Sequence, residues 1–198
     1  MTQTSKLSTR TMVLGAILTA LVFILQYMGS FVRLGPFSIS LVLIPIVIGA
    51  ATCGKGIGAW LGLVFGFAVL ISGDAAAFLA VNVPGTVITV LAKGILCGFT
   101  AGIAYEVALK ICNKISPSNG RYLAVIASAI VCPVVNTGVF LIGCLLFFME
   151  TVTEWAGGSN VGQYMIVGLV GLNFVVELIT NIVLSPIVTR LINIRNKQ

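Results

Sequence analysis

The sequence has no histidine at all, and only 8% of its residues carry a charge. Without histidine the chain lacks the commonest metal ligand and the commonest general base near neutral pH. A Ser–His dyad or a histidine-based metal set, the equipment of an intramembrane protease, is excluded with it. Charge is scarce against the ~25% of a soluble domain. The net charge of +6 is spread one or two residues at a time, with no basic run or face, so it does not point to nucleic acid. CxxC pairs are missing too. Cys53, Cys97, Cys112, Cys132 and Cys144 lie scattered and read as small buried hydrophobes. The glycine-rich Gly54-Lys55-Gly56-Ile57-Gly58 lacks the preceding strand and the Lys-Ser/Thr end of a phosphate loop. No cofactor, metal or catalytic set is expected.

What is present is apolar. Hydrophobic residues make up 59% of the chain and mean hydropathy is +1.15, the composition of an integral membrane protein. A spanning helix takes ~20 residues, so the 198 residues read as one all-α membrane domain of six transmembrane helices. Hydropathy places the spans at about 11–32, 37–52, 56–72, 85–112, 121–149 and 163–192. The first apolar stretch is too long for a signal peptide and lacks a small-residue cleavage pattern, so it is taken as the first span. Spans 2 and 3 are barely long enough to cross, and Pro45, Pro133 and Pro186 lie within spans 2, 5 and 6.

Loop charges orient the domain. With both termini cytoplasmic, the inner face holds Lys6, Arg10, Lys55, Lys110, Lys114, Arg121, Arg190, Arg195 and Lys197, nine of the 11 basic residues. The outer loops hold Arg33 with Asp74, Glu150 and Glu154. That is the positive-inside asymmetry. The outer connections are also longer and more mixed in polarity, which favours a binding site on that side.

Polar residues at membrane depth are expensive and usually face a partner, a cavity or a substrate. Lys93 lies in span 4, Asn136 in span 5, and Asn173, Glu177 and Asn181 in span 6. The last three follow i, i+4, i+8 and share one helix face, which must point inward. Pro133 sits one turn before Asn136 and frees the carbonyl of Ala129. The expectation is a polar pocket between spans 4, 5 and 6. Lys93 would hold a carboxylate, Asn136 and Asn173 would hydrogen-bond, and Glu177 would accept. Gln26 and Arg33 reach towards the same vestibule. The alternative is a Lys93–Glu177 ion pair with the asparagines as interhelical glue. Lys93 and Glu177 could also serve a stand-alone proton-coupled permease, but no internal repeat relates the two halves of the chain. Gly94, Gly98 and Gly102 recur every fourth residue and mark a close helix contact.

Span 1 carries Ala16-Ile17-Leu18-Thr19-Ala20, and Leu34-Gly35-Pro36-Phe37 leads into Ile44-Pro45-Ile46-Val47-Ile48-Gly49-Ala50. Six spans in under 200 residues with this Ala-x-x-x-Ala pattern resemble the substrate-binding S component of energy-coupling factor (ECF) vitamin transporters. Gly54-Lys55 stands where many relatives have Gly-Pro. The resemblance implies a multi-pass protein of a bacterial plasma membrane, with Ala16 and Ala20 docking on a transmembrane T component. It implies two cytosolic ATPase subunits as further partners and no catalysis by the chain itself. It also implies capture of a water-soluble vitamin from outside with high affinity. Lys93 favours a small carboxylated vitamin, pantothenate first. Riboflavin stays open, with Phe140, Tyr164 and Phe174 as stacking candidates.

Overall fold

The computed structural model describes residues 9–30, 33–34, 37–38, 41–115 and 119–196; of residues 31–40 it describes no side chain. Helix α1 covers Thr9–Gly29, α2 Leu43–Cys53, α3 Lys55–Ser72, α4 Ala76–Leu79, α5 Val83–Ile115, α6 Gly120–Phe147 and α7 Met149–Ala156. The short α8, Val161–Gln163, runs on through a π-helical stretch, Tyr164–Gly171, into α9, Leu172–Asn196. Apart from a two-residue antiparallel ribbon, Arg33–Leu34 with Phe37–Ser38, the described chain is helical.

Five of these rods are long and apolar enough to cross a membrane: α1, α3, α5, α6 and the continuous rod from Val161. Helix α2 has 11 residues, about 16 Å of helix against a hydrocarbon core of ~30 Å. Expected from residue 37, it begins at Leu43. Residues 37 and 38 lie in the ribbon instead. The segment Pro36-Phe37-Ser38-Ile39-Ser40 alternates apolar and polar behind a proline, which suits extended chain better than helix.

The helix ends follow local chemistry. Gly73 and Gly157 end α3 and α7 at positive φ, 86° and 56°, where a side chain would strain the backbone. Asn82 caps α5 by accepting from the Gly85 N–H at 2.9 Å, and Pro84 in the first turn removes a donor that has no helical acceptor.

Helix α5 is the central element, packed along α3 on one side and α6 on the other. The α3 contact explains the glycine repeat. Gly58 and Gly62 meet Gly98 and Gly94, and a Cβ at Gly62 or Gly94 would run into the partner's carbonyl oxygen. The core then falls into three parts. Leu18, Val22, Ile46, Leu61 and Phe65 fill the middle; Phe78, Phe148, Val152 and Leu169 fill one end; Tyr105, Val125, Val188 and Ile192 fill the other. Large apolar side chains such as Ile71, Leu146 and Val183 remain exposed, as expected of surfaces that face lipid.

Candidate functional site

Beside that glycine seam, at the end of the bundle that carries Asp74, Glu150 and Glu154, lies a cavity of about 90 Å³. Its polar wall comes from five elements: Gln26 of α1, Thr86, Thr89 and Lys93 of α5, Asn136 and Thr137 of α6, Asn173 and Glu177 of α9, and Asp74 before α4. Its apolar wall includes Phe78, Phe140, Phe148 and Phe174. Gln26, Lys93, Asn136, Asn173 and Glu177 therefore line one space. The side chain of Arg33 lies outside the described residues.

The spacing of α9 accounts for its share. Asn173, Glu177, Asn181 and Ser185 repeat every fourth residue and are all buried. The lower members are satisfied by the helix itself: Asn181 Nδ2 donates to the Glu177 carbonyl at 3.0 Å and Ser185 Oγ to the Asn181 carbonyl at 2.9 Å. Only the upper two, Asn173 and Glu177, reach the cavity. On α6, Ser128 and Cys132 are buried below Asn136, and Ser128 Oγ donates to the Ala101 carbonyl at 2.9 Å.

Lys93 is held by aromatic faces. Its Nζ lies 5.3 Å from the ring centre of Phe65 and 5.7 Å from that of Phe140, within cation–π range. The carboxylates of Glu177 and Asp74 both act on it electrostatically. An ammonium in this setting has the chemistry to attract an anionic group.

Phe78 of α4 and Phe148, just before α7, form an aromatic roof on the cavity. Phe78 packs edge-on against Phe140, Phe148 and Trp155, with ring centres 5.6, 4.9 and 5.3 Å apart. Gln26 Nε2 donates to Asp74 Oδ2 at 2.5 Å and to Ser72 Oγ at 3.4 Å, tying α1 to the base of the roof. Asp74, Phe78 and Phe148 were missed as wall residues by sequence reasoning. Asp74 looked like an outer-loop charge, and a phenylalanine among so many hydrophobes carries no contrast. Tyr164, a stacking candidate, packs instead into the apolar cluster above the cavity, while Phe140 and Phe174 line it.

Away from the cavity, Ala16 and Ala20 lie on the exposed face of α1 among Met12, Val13, Ile17 and Ile24. Trp60 is exposed on α3 and donates to Thr19 Oγ1 at 3.1 Å. Among the described residues, no three His, Cys, Asp or Glu side chains come together as a metal site.

A family model described as the ECF transporter, substrate-specific component, matches residues 10–192. The chain belongs to this family. Searches of curated proteins and of solved structures returned no match. As a substrate-specific ECF component, this multi-pass membrane protein is the substrate-binding subunit of a transporter and not itself an enzyme. Such components work with a T component and ATPase subunits.

Proposed function

We propose that this chain captures a small carboxylated vitamin, pantothenate first, from the outer face of a bacterial plasma membrane. Six spans with both termini cytoplasmic accord with the loop charges, α2 making the short second crossing. Lys93 holds the carboxylate, Asn136 and Asn173 hydrogen-bond the remainder, Glu177 accepts, and Gln26 and Arg33 complete the vestibule. Ala16 and Ala20 dock on the T component, and two cytosolic ATPases drive uptake.

The observation that carries this reading is that Lys93, half-buried on α5, meets the buried Asn136, Asn173 and Glu177 in one cavity. Its size supports a compact ligand, since about 90 Å³ is small beside the ~300–1,000 Å³ of drug-sized pockets. The four wall phenylalanines favour a second reading, a flat-ring vitamin such as riboflavin, which would have to displace the Phe78 roof.

A thermal-shift screen of the B vitamins against the detergent-solubilised chain, without ATP, tests both. Stabilisation by pantothenate is expected, by ~2.7 kcal/mol at a hundredfold excess over Kd. Stabilisation by riboflavin alone would replace the first reading by the second. In cells, Ala16→Trp is expected to abolish uptake while the purified variant still binds; normal uptake would refute the docking role of that face.

A further inference from the structure

Three buried oxygens of cavity-lining residues have no hydrogen-bond partner: Oγ1 of Thr89, Oδ1 of Asn136 and Oδ1 of Asn173. These residues are 5%, 6% and 9% exposed, so bulk solvent does not serve them. They come from three different helices, α5, α6 and α9, and meet at one space. Other buried polar side chains on the same helices are satisfied within the protein. Thr86, one turn before Thr89, donates to the Asn82 carbonyl at 2.7 Å. Ser128 and Asn181 likewise donate to backbone carbonyls. The unmet groups are thus confined to the cavity wall in this part of the bundle.

An amide oxygen can only accept, and a hydroxyl oxygen accepts as well as donates. What Asn136 and Asn173 lack is therefore a donor. The ammonium of Lys93 does not reach them; it sits between the rings of Phe65 and Phe140. A carboxylate on the ligand would suit Lys93 and could accept from the Thr89 hydroxyl, but would leave both amide oxygens as they are.

We infer that the ligand is a compact acid that also carries hydroxyl or amide N–H donors, and that Thr89, Asn136 and Asn173 select it by accepting from those groups. This rests on the cavity's proposed role as the vitamin site and narrows the class of vitamin within it. An acid without donors leaves buried oxygens unmet, which is how a site built for polar groups rejects a less polar analogue.

Calorimetric titration of the full chain in detergent micelles with four probes separates the claims. Pantothenate is an acid with hydroxyls and an amide N–H. 3,3-Dimethylbutanoyl-β-alanine keeps its carboxylate and amide but lacks both hydroxyls. Lipoate is an acid with no other donor, and pyridoxine carries hydroxyls without a carboxylate. Pantothenate is expected to bind about tenfold or more tighter than the dideoxy analogue, with lipoate weaker still. Equal binding of lipoate or the dideoxy analogue would overturn the donor assignment. Binding of pyridoxine without pantothenate would uphold the donors and overturn the acid reading on which the proposed function rests. Silence from all four would overturn both.

Asn136→Leu and Asn173→Leu give a second readout. Unmet oxygens burden the empty protein, so each variant is expected to melt at an equal or higher temperature while binding pantothenate about tenfold more weakly. A lower melting temperature with unchanged affinity would make the asparagines helix–helix glue and refute the inference.

Discussion

Lys93 and Gly94 are neighbours on α5, yet they belong to opposite kinds of packing. Gly94 faces α3, where Gly62 brings the two backbones together so closely that no Cβ fits. Lys93, about 100° round the helix, faces a space walled by amides, carboxylates and aromatic rings. In the seam, fit is complete and nothing remains to be bound. At the cavity, oxygens stay unmet and a cation is held in place without being filled around. On the proposed reading, one helix serves as a rigid wall on one side and a recognition surface on the other. Stability and the proposed binding are then separated by rotation about a single axis, not by distance along the chain.

That separation is breakable at adjacent residues. Lys93→Ala is expected to weaken pantothenate binding by ~2–5 kcal/mol, the range for losing one partner of a buried charged contact. The fold should survive, and titration calorimetry together with gel filtration reads both quantities. An unchanged Kd would reduce Lys93 to a structural cation. Gly94→Leu should act the other way round. Its side chain has backbone and not a flexible neighbour to displace, so the cost reaches or passes the upper end of the ~1–3 kcal/mol of overpacking. Loss of monodisperse protein in detergent is the expected result. A well-folded Gly94→Leu that had lost only its affinity would dissolve the contrast between the two faces.

Much of the recognition face was legible beforehand because polarity is an anomaly in an apolar span. Asn173, Glu177 and Asn181 announced their shared face by spacing alone, and Gly94, Gly98 and Gly102 did the same for the seam. Gly58 and Gly62, the other half of the seam, have the same fourfold spacing, but Gly58 closes the glycine-rich Gly54-Lys55-Gly56-Ile57-Gly58, where its relation to Gly62 does not stand out. Phe78 and Phe148 were silent for the opposite reason: one more hydrophobe adds no signal where most residues are hydrophobic. The late start of α2 was hidden because hydropathy does not distinguish an extended apolar segment from a helical one. The π-helical turn pattern of Tyr164–Gly171 leaves no mark in a run of apolar residues and glycines either.

The comparison can be sharpened at the roof, where the cavity meets α1. Gln26 is 2% exposed, as buried as any core residue, yet its amide is spent on Asp74 and Ser72 instead of on packing. If the roof belongs to the recognition face, loosening this tie should change how fast a ligand leaves and hardly alter the glycine seam. Gln26→Leu keeps the volume and removes the donor. The expected loss is ~1 kcal/mol, roughly fivefold in Kd, carried by a faster dissociation rate in stopped-flow measurements. Should the melting temperature fall while the dissociation rate stays constant, the tie would be part of the rigid wall. The boundary between the two regions would then run between α1 and the cavity rather than around the helix axis of α5.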